Sequence, residues 1–222
     1  MNRVSGLTKK TKSTAPKEKA PETEKPRRVT ARGLRTRAAL LAAAEDLFGV
    51  HGYEGTSIVD LTRGAKVALG TFYVHFPDKK ELFVELVDTL GRRLRRHLAE
   101  RVAGSANRLE MERRGLDAFL DFVAEHRHLY RIVRQADFVD QACFRRYYRL
   151  MADGYARGLA EASKKGEIRR ADPEVLCWCL MGIADFLGMR WVLWEKRPRH
   201  EVVADALAFI EGGLLPPSKE RR

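Results

Sequence analysis

Two short amphipathic patterns separated by a tight break, within residues 56–76 (TSIVDLTRGAKVALGTFYVHF), constrain this chain more than any other feature. Ile58, Leu61 and Ala65 recur at i, i+3 and i+7, one face of a helix. Thr56 and Ser57 stand just before them, with side-chain oxygens able to accept from the unsatisfied amides of a helix start. In the second pattern Phe72, Tyr73 and Phe76 are predicted to form an apolar edge, leaving Gly70, Thr71 and His75 on the other side. A long helical pattern over residues 34–50 precedes both. Two short helices at a steep angle, the second turning small and polar groups outward, make a helix-turn-helix, the arrangement that fits a DNA major groove.

The rest of the chain also reads as helix, with no strand signal and no internal repeat. Gly52 ends the first helix, whose Leu41, Ala44 and Phe48 share a face. Pro77 stops the short pair, and Asp78 caps the next helix, with Glu81 three residues on to complete a capping box. That helix continues through Leu82, Leu86, Leu90, Leu94 and Leu98. Further helices are predicted over residues 108–125, 126–139, 141–164, from the Asp172-Pro173 start to Trp194, and over 200–212. The expected fold class is therefore all-α. It divides into a tail (1–32), a helix-turn-helix domain (33–80), a C-terminal helical domain (81–215) and a short tail (216–222).

Charge is uneven along these segments. Residues 1–32 are rich in Lys, Thr, Pro and Glu and are expected to be disordered. Ten Lys/Arg against three Glu place +7 of the net +12 in this tail. It reads either as a solubilising segment or as a basic arm that tracks phosphates or enters a minor groove. Residues 33–80 carry only +1, so gross charge does not argue for nucleic acid, and the motif carries that expectation.

Composition narrows the remaining classes. With 222 residues, 45 % apolar and 32 % charged, the chain suits a soluble globular protein with a real core. Three cysteines, Cys143, Cys177 and Cys179, suggest reduced thiols in a cytoplasmic setting. Cys177 and Cys179 point to different sides of a helix, so buried thiols are expected and a metal site is not. No apolar leader is read at the N-terminus. Residues 175–194 raise a membrane question, but Gly182, Asp185, Gly188 and Arg190 interrupt the run, so a buried helix is expected instead. His51, His75, His97, His126 and His128 are scattered, with no nucleophile, carboxylate pair or phosphate loop at a motif spacing. Neither catalysis nor a cofactor is expected. A helical adaptor dimer and a helical enzyme are the alternatives to a DNA-binding protein.

The order and spacing of Phe48, Gly52, Tyr53, Thr56, Ile58, Asp60, Leu61, Val67, Gly70, Thr71, Tyr73, His75, Phe76 and Lys79 resemble the N-terminal DNA-binding domain of TetR-family transcriptional regulators. The resemblance implies that Thr56, Tyr73, His75 and Lys79 hold phosphates and that Leu69, Gly70 and Thr71 face base edges, with Ser57 on the same DNA-binding surface. The chain also departs from the family. Lys66 stands where the turn usually has Gly and is expected at positive φ. Ala68 replaces the usual capping Ser or Thr, and Thr62 replaces a small residue. Leu69 replaces a polar groove-facing residue and would suit a thymine methyl.

The same resemblance implies a homodimer that represses transcription from a pseudo-palindromic operator and is released by a small-molecule effector, activation being the alternative. Leu176, Leu180, Ile183, Leu187 and Trp191 step by three or four. With Val203, Leu207 and Ile210 they look like the helix pair such subunits give to a four-helix interface, Ala184 and Gly188 allowing close approach. A monomeric core helix is the bland alternative. Phe119, Phe122, Tyr130, Phe138, Phe144, Tyr147, Tyr148 and Tyr155 are dense enough to suggest an effector pocket, with Arg134 and Asp185 as polar members, although ordinary core positions explain many of them. Residues 127–149 hold six arginines against two aspartates; such charges usually form a solvated face, whereas a cluster at a pocket mouth would favour an anionic, lipophilic effector such as a fatty acyl-CoA thioester.

Overall fold

The computed structural model describes residues 30–216, so the expectations for the basic tail and for residues 217–222 lie outside the described residues. Nine α-helices and no strand are found among the described residues. The first, α1 (Ala31–His51), starts where the Thr30 side chain accepts from the Gly33 amide. It ends where Gly52 takes φ 79°, a left-handed region that costs a residue with a Cβ about 1–2 kcal/mol. Ahead of α2 (Ile58–Gly64) Ser57 accepts from the Asp60 amide while the Asp60 carboxylate accepts from Ser57, a reciprocal capping box. Those bonds hold the Asp60 carboxyl below the usual carboxylate range.

No such start supports α3 (Leu69–His75), because its N-cap is Ala68. Lys66, in the turn before it, has φ 56°, as its place in the turn predicts. Asp78 opens α4 (Lys79–Val102) by accepting from the Glu81 amide, which is half of the expected box. Three further helices follow: α5 (Arg108–Glu125), α6 (Leu129–Val139) and α7 (Gln141–Lys164). The start of α6 falls three residues later than the pattern predicts. His126 leaves helical geometry to end α5, packing its ring 4.3 Å from that of Phe122 and bonding Glu45 of α1. Asp172 then caps α8 (Pro173–Gly188), which runs on into a π-helical turn, Met189–Trp194, before α9 (Arg199–Leu214) closes the fold.

The core does not respect the boundary expected at residue 80. One apolar cluster joins Leu40, Phe48, Leu61 and Phe72 of the first three helices to Phe83 and Leu90 of α4, Ile132 of α6 and Tyr147 of α7. A second packs α5, α7, α8 and α9 around Leu116, Leu159, Cys177 and Ile210, and Phe119 touches both. Two sequence expectations fail here. Phe138 stands in solvent at the end of α6 rather than near a pocket. Cys143 and Cys177 are buried, but Cys179 lies on the outer side of α8 and is exposed.

Candidate nucleic-acid interface and ligand cavity

The first three helices form a platform with α3 on its outer edge. Phe72 and Phe76 plug the core beneath it, while Leu69, Gly70, Tyr73 and Val74 face outward. Tyr73 is 55 % exposed and does not share the apolar edge with Phe72 and Phe76. It follows Phe72 by one residue, a turn of about 100° round the helix, enough to carry the ring out of the core. Val74 was missed by sequence reasoning, although it lies one turn on from Gly70. A Cβ on Gly70 would meet nothing within 4 Å, so the fold leaves this position free and the glycine keeps the face flat. Thr71 and His75 are half-buried. Arg37 fixes the end of α3: it donates to the His75 carbonyl at 2.8 Å, stacks 4.3 Å from the Phe76 ring centroid and pairs with Glu85.

Two residues implied as phosphate contacts are turned inward instead. Thr56 is 1 % exposed, and its hydroxyl donates to the Gly52 carbonyl at 2.8 Å and the Leu47 carbonyl at 3.3 Å. It seals the end of α1 and has no free path to a ligand. Lys79 donates to the carbonyls of Tyr53 at 2.8 Å and Thr56 at 3.0 Å, with its ammonium 4.1 Å from the Tyr53 ring centroid. Two of its three N–H bonds thus clamp the loop before α2 to the start of α4. Ser57 is exposed but engaged in capping, and Arg63 and Lys66 are exposed cations near it.

Between α4, α5, α6, α7 and α8 lies a cavity of about 550 Å³, within the usual range for small-molecule sites. Of the residues expected at an effector pocket, Phe119, Tyr130, Arg134, Tyr147, Tyr148 and Asp185 line this cavity, and so does Tyr155. Phe122 and Phe144 do not. Phe122 is buried between the rings of His97 and His126, and Phe144 backs Tyr148 at 5.0 Å between centroids. Burial pushes the phenols of Tyr130, Tyr147 and Tyr155 well above their ordinary range and that of Tyr148 up to about 12, so all four are neutral hydrogen-bonding groups. Burial also raises the Asp185 carboxyl, against the lowering effect of Arg134 nearby.

Of the two readings of the arginine-rich stretch, the pocket rim is not assembled. Of the six arginines in residues 127–149, only Arg134 lines the cavity. Arg127 and Arg131 donate to the Val192 and Val50 carbonyls, Arg146 pairs with Asp88, and Arg145 and Arg149 face solvent. Arg108 and Glu112, which sequence reasoning passed over, sit inside the cavity wall instead. A signal for them existed. They precede Leu116 and Leu120 at four-residue steps, so they continue the apolar stripe of α5 rather than its wet face.

One short helix touches both regions. Tyr130, Val133 and Arg134 of α6 line the cavity. Gln135 on its other side accepts from the Tyr53 amide at 2.5 Å, and Arg131 donates to the Val50 carbonyl at 3.2 Å. At the start of α6 the His128 ring lies where a Cβ on Gly49 would stand, so Gly49 admits the docking of α6 on α1.

The last two helices divide the predicted interface residues in two. Leu180, Gly188, Val203 and Ile210 are buried within the chain's own core and cannot meet a partner. Gly188 permits a close approach, but to Tyr130, whose hydroxyl donates to the Asp185 carbonyl at 2.8 Å. Leu176, Ile183, Ala184, Leu187, Trp191 and Leu207 are partly exposed. Three exposed apolar residues there, Val175, Phe186 and Phe209, went unrecognised; Phe186 and Phe209 are 64 and 74 % exposed. A shallow groove between α8 and α9, lined by Ile183, Leu187, Trp191 and Ala206, runs beside Phe209. Among the described residues the run Pro173–Trp194 is long and apolar enough to cross a membrane by length and composition.

Comparison with known proteins accords with this geometry. Residues 40–86 match the family model described as bacterial regulatory proteins, tetR family. The HTH-type transcriptional regulator TtgR of Pseudomonas putida is 30 % identical over 201 residues, covering 85 % of this chain and 94 % of TtgR. Among solved structures, AibR in complex with isovaleryl coenzyme A and operator DNA aligns with a TM-score of 0.67 at 21 % identity, over 82 % of this chain and 99 % of AibR. The ketosteroid transcriptional regulator KstR2 of Mycobacterium tuberculosis aligns with a TM-score of 0.62 at 21 % identity, over 82 % of this chain and 95 % of KstR2. The two structural likenesses are likenesses of fold.

Proposed function

Because the chain belongs to the TetR family and is by that membership a DNA-binding transcriptional regulator, we propose that it is a repressor that grips a pseudo-palindromic operator as a homodimer and lets go when a small apolar effector fills its cavity. The position of α6 carries this reading. Tyr130, Val133 and Arg134 wall the cavity while Gln135 and Arg131 hold the end of α1, so any ligand that shifts α6 pulls on the platform beneath α3. The shared core of α4 gives a second route, through its tilt. Operator and effector then oppose each other through one coupling free energy, typically about 1–3 kcal/mol.

On the DNA side, Leu69, Gly70 and Thr71, with Val74, are proposed to face bases. Tyr73, His75, Ser57 and the remaining N–H of Lys79 are proposed to meet phosphates. Leu69 and Val74 offer only apolar surface, which suits thymine methyl groups. The second copy is proposed to seat on Phe186, Phe209 and the groove between α8 and α9, spacing two α3 helices about 34–36 Å apart for successive major grooves. A protein partner is favoured over a bilayer because Cys177 and Leu180 already face the chain's own core and Asp185 faces the cavity. Acyl-CoA thioesters remain one effector class, on the precedent of AibR and the apolar cavity.

Selection of bound sequences from a random duplex pool tests the proposal. It should return an inverted repeat, and footprinting should protect two half-sites about one helical turn apart. Enriched sites without dyad symmetry would remove the dimeric reading.

A further inference from the structure

At the end of the cavity formed by the last turns of α4 and the first of α5, a charged pair is buried in the wall. Arg108 and Glu112 are 4 and 6 % exposed and joined Nε to Oε1 at 2.6 Å. Tyr155 of α7 donates its hydroxyl to the other carboxylate oxygen, Oε2. Both carboxylate oxygens are therefore engaged and the pair is electrically balanced. Arg108 is not satisfied in the same way. Its Nη1 leans on the Met111 sulfur at 3.5 Å, and its Nη2, also buried, has no hydrogen-bond partner among the described residues. A buried donor left unpaired forfeits the hydrogen bond that water would have given it, which native interiors rarely accept without an acceptor arriving from elsewhere.

We propose that this end of the cavity takes an uncharged oxygen acceptor (a ketone, ester or hydroxyl carried on an apolar skeleton) hydrogen-bonded to the under-satisfied Arg108 guanidinium that lines it. The proposal rests on the reading of the cavity as the effector site and names the chemistry that site selects. Charge decides between acceptors. Glu112 already neutralises Arg108 in direct contact, so a carboxylate or phosphate placed there would leave an uncompensated negative charge beside a buried, balanced pair. A carbonyl or hydroxyl oxygen takes the spare N–H and adds no charge. The other cations of the lining do not alter this balance. Arg134 lies at the α6 side, half in solvent and 4.0 Å from Asp185, and Arg95 is half-buried beside Tyr147. An anionic head would gather there, and an alkyl tail reaching Arg108 would leave its donor unpaired.

The test uses the full chain and N-phenyl-1-naphthylamine, a neutral fluorescent dye, displaced by 2-decanone or by decanoate of matched length. Wild type should bind the ketone at least about tenfold more tightly than decanoate, the scale of one hydrogen bond to a charged group. Arg108→Met alone would strand Glu112, so the double variant Arg108→Met/Glu112→Met removes both charges. With each ligand referred to the dye affinity of the same variant, the ketone's preference over decanoate should fall about tenfold. Glu112→Gln, which frees the arginine's charge, should move the preference toward decanoate. Decanoate matching the ketone in wild type, or an undiminished ketone preference in the double variant, overturns this inference while leaving the cavity as an effector site. Failure of the dye to bind at all overturns the cavity reading, and the inference with it.

Discussion

Two surfaces of this molecule hold large apolar side chains in water, and they differ in what surrounds them. On α3 the exposed group is small: Leu69, Tyr73 and Val74 around Gly70, with Thr71 and His75 on the same helix and the exposed Lys66 in the turn before it. On α8 and α9 it is broad, with Val175, Phe186 and Phe209 beside an apolar groove whose polar side, Arg197, is taken up by Glu201 and Asp205. A narrow apolar ridge edged by cations and hydroxyls matches a groove walled by phosphates. A wide apolar face with its charges already paired matches another face like itself. The lesson is that exposure of apolar residues does not tell one kind of partner from another; the charge around them does.

The sharpest way to break this contrast is to charge the wider face. Phe186→Asp with Phe209→Asp should abolish dimerisation in sedimentation velocity, each removing about 2–4 kcal/mol as a central interface anchor does. Operator binding should be lost with it. A dimer that persists would send the partner face elsewhere.

Thr56 separates support from contact on the smaller surface. Thr56→Val deletes two hydrogen bonds to carbonyls inside the fold. It should lower stability by about 1–2 kcal/mol in urea titrations. Operator affinity measured well below the melting temperature should hold. Reduced affinity with unchanged stability would restore Thr56 as a phosphate contact.

Tyr73→Ala should weaken binding to every duplex by about 1 kcal/mol, as loss of one phosphate contact does, and leave the dimer intact. Full affinity in a gel-shift titration would strike Tyr73 from the surface. Lys66→Gly should have the smallest effect, a gain of up to about 1 kcal/mol from relieving φ 56°. No gain in thermal melting would mean that Gly's freedom in the unfolded chain offsets the relief.

Much of this was legible before the fold was known. Helix ends were read well because their determinants are local. Gly52, Asp172-Pro173 and the limits of α5 and α7 stand where caps and periodicity put them, and Lys66 takes the positive φ its position implied. The outward face of α3 was half legible. Leu69 and Gly70 were recognised, but spacing put Tyr73 on the apolar edge where resemblance put it on the phosphates, and Val74 was missed, because a seven-residue helix gives too little periodicity to locate its inner side. Residue identity misled more than spacing did. Thr56 has the chemistry of a phosphate ligand, yet its hydroxyl closes α1. Arg108 and Glu112 look like a solvated i,i+4 pair, yet both are buried.

What the linear chain determined by itself is the all-α class, the placement of the helices and the helix-turn-helix, because caps, breaks and a 3.6-residue period act over a few residues. What only the tertiary structure decided is which side of each helix is wet. Leu180 and Ile210 turned inward while Phe186 and Phe209 turned out, and of the arginines of residues 127–149 three went to carbonyls or a carboxylate and two to solvent, leaving Arg134 at the cavity. Those outcomes depend on how the helices cross, a property of the packed assembly that no single segment encodes.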